Sequence, residues 1–83
     1  SNFIIFYNFK IGNSFFQDET YDDAELWFGK LSAGDLDTSY REEYYFKLGY
    51  TALQNEHFEV AINAFRENVQ GKSQYAPPSK YFF

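Results

Sequence analysis

Apolar residues recur along this chain at the spacing of a helix face, and polar breaks separate them into stretches. Phe9, Ile11, Phe15 and Phe16 form the first, which Gln17-Asp18-Glu19-Thr20 interrupts. Tyr21, Ala24, Trp27, Phe28 and Leu31 follow at three- and four-residue steps, the signature of a buried helical stripe. Ser32 to Asp37 reads as a loop. Tyr45, Leu48, Gly49 and Ala52 give the next stripe, and Asn55-Glu56-His57 makes the next turn. Phe58, Ala61, Ile62, Phe65 and Val69 give the last, with Gly71 as its stop. Thr20 with Asp23 resembles a capping pair, and Ser39 with Glu42 fits a capping box that opens a helix. Asp22 and Asp23 suit the positive end of the helix they begin. The pattern predicts an all-α chain of helix-turn-helix pairs.

The pairs are copies of one another. A shift of 37 residues carries Tyr7, Phe9, Lys10, Gly12, Gln17, Glu19, Ala24 and Phe28 onto Tyr44, Phe46, Lys47, Gly49, Gln54, Glu56, Ala61 and Phe65. Ile11 lands on Leu48 and Tyr21 on Phe58. The same shift carries Tyr44 and Tyr45 onto Tyr81 and Phe82, and Pro77 and Pro78 suit a first helical turn. The expected units are therefore residues 3–36 and 39–71, with a third helix starting near 76–83. Glycine inside a helix costs about 1 kcal/mol relative to alanine. Two glycines at matched places, Gly12 and Gly49, imply that another helix passes close by. Ala24 and Ala61 are the expected small partners at those crossings.

With these residues in register, the chain resembles the tetratricopeptide repeat family. Ile11-Gly12, Tyr21, Ala24 and Phe28 follow its pattern in the first unit, and Leu48-Gly49, Phe58, Ala61 and Phe65 follow it in the second. The family's period is about 34 residues. The longer period here is expected to lie in the loop from Ser32 to Thr38. The resemblance implies antiparallel helical pairs stacked as a right-handed α-solenoid, whose first helices line a concave face. It implies a scaffold that binds protein or peptide. The segment Lys72-Ser73-Gln74-Tyr75-Ala76 is similar to the linkers of bacterial cell-envelope members, such as outer-membrane-assembly lipoproteins and the Tol-Pal coordinating protein. That subtype implies an envelope or periplasmic setting. The groove residues implied by the resemblance are Phe9, Asn13, Phe16, Phe46, Tyr50, Leu53 and Gln54, with Phe6, Gln17 and Glu43 beside them. No Lys or Arg falls on that strip, so a clamp for a terminal carboxylate is not expected.

Composition changes this picture in three places. Aromatic residues make up 24% of the chain, enough ring area for an 83-residue core without staples. There is no cysteine, which excludes disulfides and thiolate metal sites. The formal charge of -5, with no basic run, argues against nucleic acid as partner. No stretch reaches the roughly 20 apolar residues of a membrane-spanning helix.

Catalytic chemistry has little to work with. The single histidine, His57, falls in a turn, where an exposed or capping role is expected. The acid pairs Asp22-Asp23, Asp35-Asp37 and Glu42-Glu43 fall at helix starts and in a loop, and the glycines form no phosphate cradle. Neither a catalytic residue nor a cofactor or metal site is expected. Ser1-Asn2 reads as the remnant of a tag, and Tyr81-Phe82-Phe83 as a cut end, so the chain is expected to be part of a longer protein. Two other roles fit the same residues. The fragment is a slab of a solenoid that self-associates through its open ends, Phe3-Ile4-Ile5-Phe6 and Tyr81-Phe82-Phe83, or it supports a carbohydrate-binding or enzymatic envelope protein.

Overall fold

The structure, a computed structural model, describes residues 2–69, and the side chains of 3–68. The expected Gly71 stop and third helix lie outside the described residues. Four α-helices follow in order, and no strand occurs among the described residues: α1 Asn2–Gln17, α2 Tyr21–Phe28, α3 Thr38–Gln54 and α4 Phe58–Val69. A single 3₁₀ turn, Ala33–Asp35, lies between α2 and α3. Each helix packs chiefly on the next in sequence.

The two turns within the pairs are built from the same atoms 37 residues apart. After α1, Glu19 N–H donates to Phe16 O at 3.0 Å and Thr20 N–H to Phe15 O at 2.9 Å. After α3, Glu56 N–H donates to Leu53 O at 3.0 Å and His57 N–H to Ala52 O at 2.8 Å. Both are closures that satisfy the last free carbonyls of a helix through a left-handed residue. That residue is glutamate both times, with φ 62 at Glu19 and φ 62 at Glu56. Glutamate pays a steric cost there that glycine avoids.

The helix starts correct two expectations. Thr20 precedes α2 but makes no side-chain cap bond. Its own N–H closes α1, so one residue serves two helices and its hydroxyl is left aside. Ser39 does not open α3. Asp37 does, its Oδ1 accepting from Ser39 N–H at 3.3 Å. An acceptor two residues ahead is the geometry a cap requires, which places Ser39 inside the first turn. Helix α2 also ends sooner than expected, at Phe28, where Gly29 gives poor support to further helix. Leu31 still joins the core, from the segment beyond the helix.

The core follows from the aromatic stripes. Phe9, Ala24, Phe28, Leu31, Leu36 and Tyr44 are buried together, and Ala52, Ala61 and Phe65 form a second cluster. The glycines explain the fit, and the nearest atoms to each are those of a ring. A Cβ on Gly12 would stand 2.7 Å from Phe28 Cε1, and one on Gly49 would stand 2.6 Å from Phe65 Cε1. Ala24 and Ala61 are buried one turn earlier on the same helices.

Gly12→Ala and Gly49→Ala are each expected to destabilise the chain. Helix propensity returns about 1 kcal/mol, while overpacking against a ring that cannot swing costs about 1–3 kcal/mol. The net loss, up to about 2 kcal/mol, is checked by urea denaturation. A gain in stability would mean the rings yield.

The pairs are joined at both ends of α2. Tyr44 Oη lies 3.0 Å from Phe28 O and 3.1 Å from Leu31 O. Burial, and secondarily the neighbouring Tyr45, pushes its phenol up to about 12. At the other end Asn55 Nδ2 donates to Tyr21 O at 3.1 Å and to Glu25 Oε1 at 2.6 Å. His57 Nδ1 stands 2.8 and 2.9 Å from the two Glu25 oxygens, so Nδ1 carries the proton it donates. Arg41 adds a tie to the connection, reaching Leu36 O at 3.1 Å and Gly34 O at 3.3 Å.

Candidate functional site

Helices α1 and α3 bring most of the expected strip together. Tyr50 is its hub, with ring centroids 5.6 Å from Phe16, 5.7 Å from Tyr21 and 6.1 Å from Phe46. Phe16 also meets Tyr21 at 6.0 Å. All four rings are half-buried, so each keeps part of its face to solvent. Leu53 is half-buried against the second core cluster. Gln54 is exposed at the end of α3.

Phe9 does not belong to this surface. It is 1% exposed, set against Phe28, Tyr40 and Tyr44. Its counterpart Phe46 lies against Phe65 at 6.4 Å but stays half-buried. The equivalence of the two residues in sequence therefore does not extend to their exposure.

A cation does lie on the strip, contrary to expectation. Lys47 Nζ donates to Asn13 Oδ1 at 3.0 Å and to Glu43 Oε2 at 2.6 Å, and stands 5.4 Å from the centre of the Phe16 ring. The long side chain reaches across from α3 to α1, which spacing along one helix does not reveal. The signals were present in the sequence: Glu43 and Lys47 are one helical turn apart, a pairing spacing. The lysine is engaged by a carboxylate, a side-chain amide oxygen and a ring, so its charge is largely compensated.

Tyr21 is the other member that reading helix A alone missed. It begins α2 yet turns onto the strip. Partial burial, then the Tyr50 hydroxyl and Glu19, raise its phenol above the ordinary value. A hollow of 530 Å³ opens beside it, lined by Glu19, Thr20, Asp22, Asp23 and Asn55. A second, of 490 Å³, lies toward the other end of the helices, between Ile5, Phe6, Asp35, Leu36, Asp37 and Tyr40. The strip thus has an aromatic middle, one compensated ion pair and an acidic hollow at one end. Such a surface offers ring faces and hydroxyls to whatever lies against it.

His57 is exposed and bound to Glu25, where it fastens the two helical pairs. Among the described residues no group of three or more His, Cys, Asp or Glu side chains is placed to hold a metal ion, and no helix is long and apolar enough to cross a membrane. Comparison with known proteins adds no relative: no family model, no curated protein and no solved structure matches this chain.

Proposed function

We propose that this chain is a non-catalytic scaffold module of tetratricopeptide type, its helical pairs stacked as a right-handed α-solenoid, and that it binds protein or peptide. The observation that carries the reading is the recurrence of the same atomic arrangement 37 residues apart. The glutamate turns, their carbonyl closures and the glycine-ring contacts all repeat in register. Repeats of this kind bury their apolar faces on one another and leave a continuous outer surface for partners. The half-open rings of Phe16, Tyr21, Phe46 and Tyr50, with Asn13 and Lys47 beside them, are that surface. A terminal carboxylate would have to displace Glu43 from Lys47, so an aromatic or aliphatic segment suits the strip better than an acidic tail.

Tyr50→Ala tests this. Central tyrosines of an interface typically cost about 2 kcal/mol or more on truncation, roughly a 30-fold loss of affinity. Partners captured from the source extract by the intact chain should be lost by Tyr50→Ala and kept by Leu26→Ala, whose side chain is exposed elsewhere. Circular dichroism must show both variants folded. Unchanged capture by folded Tyr50→Ala would move the site to another face.

The self-associating slab is favoured by one observation of its own: Phe3, Ile4 and Tyr7 stand 83%, 62% and 64% exposed on α1.

A further inference from the structure

The aromatic strip runs directly into the acidic hollow, and Tyr21 belongs to both. Its ring stands 6.0 Å from Phe16 and 5.7 Å from Tyr50, and it lines the 530 Å³ hollow with Glu19, Thr20, Asp22, Asp23 and Asn55. Three carboxylates therefore border the hollow. The ion pairs among the described residues engage other groups, Lys47 with Glu43 and His57 with Glu25, so none of these three carboxylates holds a cation. The start of α2 offsets Asp22 and Asp23 only in part, since a helix end carries roughly half a unit of positive charge. The repeat does not demand this arrangement. The shift of 37 residues puts Glu56, His57, Phe58, Glu59 and Val60 in the places of Glu19 to Asp23. The second pair thus has the histidine bound to Glu25 instead of a threonine, a phenylalanine instead of the phenol, and a valine instead of one aspartate.

We propose, resting on the binding role given above, that the hollow takes the arginine side chain of the segment held on the strip. The partner is then a peptide segment with an aromatic or aliphatic residue and, two positions on, an arginine. The spacing follows from the rings. An extended chain advances about 3.3 Å per residue and points alternate side chains the same way, so residues two apart stand roughly 6.6 Å apart. That is close to the separation of Tyr21 from Phe16 and Tyr50. The apolar side chain lies on Phe16 and Tyr50, and the arginine passes along Tyr21 into the hollow. Arginine suits the place better than lysine. Its flat guanidinium stacks on a tyrosine ring while its fork of N–H donors meets carboxylates beside it. A glutamate there would add a fourth negative charge to three. Asn55 Nδ2 donates to Tyr21 O at 3.1 Å, which holds this wall of the hollow to the second pair.

Short peptides with blocked ends test this, each with one phenylalanine and, two positions later, arginine, citrulline or glutamate. Citrulline keeps the shape of arginine and lacks its charge. Binding to the 83-residue chain is read from backbone amide shifts in NMR titrations. The arginine peptide is expected to bind at least about tenfold tighter than the citrulline peptide, the scale of a charge-assisted hydrogen bond. Its shifts should fall at Glu19 to Asp23 and around Tyr50, and the glutamate peptide should bind least. In a chain carrying Glu19→Gln, Asp22→Asn and Asp23→Asn, shown folded by its amide spectrum, the arginine peptide should fall to the citrulline level. Equal affinity of the arginine and citrulline peptides for the unaltered chain overturns the proposal, whatever the variant does. If both peptides then fail on folded Tyr50→Ala, the strip stands and only the hollow is struck out. An arginine preference that outlives the three acids also overturns it, by assigning the attraction to the net charge of the chain. Absence of any shift around Tyr50 with every peptide removes strip and hollow together.

Discussion

Phe28→Ala is expected to lower stability by about 3–5 kcal/mol, and Phe65→Ala by a similar amount. Small domains hold only about 5–15 kcal/mol, so either change brings the chain to the edge of unfolding. The cost falls at the upper end of the range for a local reason. The ring of Phe28 is fully buried, 6.2 Å from Phe9 and 6.1 Å from Tyr44, and its edge rests on the backbone of Gly12. Glycine has no side chain with which to fill the void. The cavity therefore stays open, and cavity volume is what separates mild core truncations from severe ones. Adding Gly12→Ala to Phe28→Ala should relieve part of the loss, although Gly12→Ala alone is damaging. Contacting residues couple by about 0.5–3 kcal/mol in such cycles. Urea denaturation of the four proteins measures it. Strict additivity would mean that glycine and ring do not share the space.

Stability is expected to collapse at alkaline pH through Tyr44. The phenol ionises near pH 10 in an unfolded chain, and burial holds it at about 12 in the folded one. Its contribution is whole below pH 10. As pH rises from there, the unfolded chain gives up the proton while the folded chain keeps it, so unfolding is favoured. Near pH 12 the contribution is gone. Two pKa units correspond to roughly 3 kcal/mol. Tyr45 and Tyr21 are also raised, both chiefly by burial, and add to the loss in the same direction. Tyr44→Phe should be less stable at pH 7, since Leu31 O loses its donor, at a cost of about 1–3 kcal/mol. It should also show a shallower decline above pH 10. Urea midpoints at pH 8, 10 and 11.5 decide the matter; parallel declines for the two proteins would show that Tyr44 does not control the alkaline limb.

Both results bear on how much was legible beforehand. The helical pairs were, because apolar stripes at three- and four-residue steps and a repeat of eight identities specify local structure directly. The glycines announced close approach correctly, but the sequence could not say whether alanine or phenylalanine came near, since both recur at the same offset. Start signals were ambiguous for a similar reason: Asp37 and Ser39 both cap helices well, and only the path of the chain chooses between them. The strip was read in part. Phe9 and Phe16 share one helical stripe, yet α2 and α3 bury the first and leave the second half open. Lys47 and Tyr21 escaped because their placement depends on reach between helices, which periodicity along one helix does not encode.

The short helix α2 is fastened to the second pair at both ends, by the Tyr44 hydroxyl at one and by Asn55 and His57 at the other. Two anchor points on one rod forbid swivelling about either. The angle between the pairs is thereby set within the chain itself, so that in the binding role proposed above the partner bears most of the loss of freedom that docking entails.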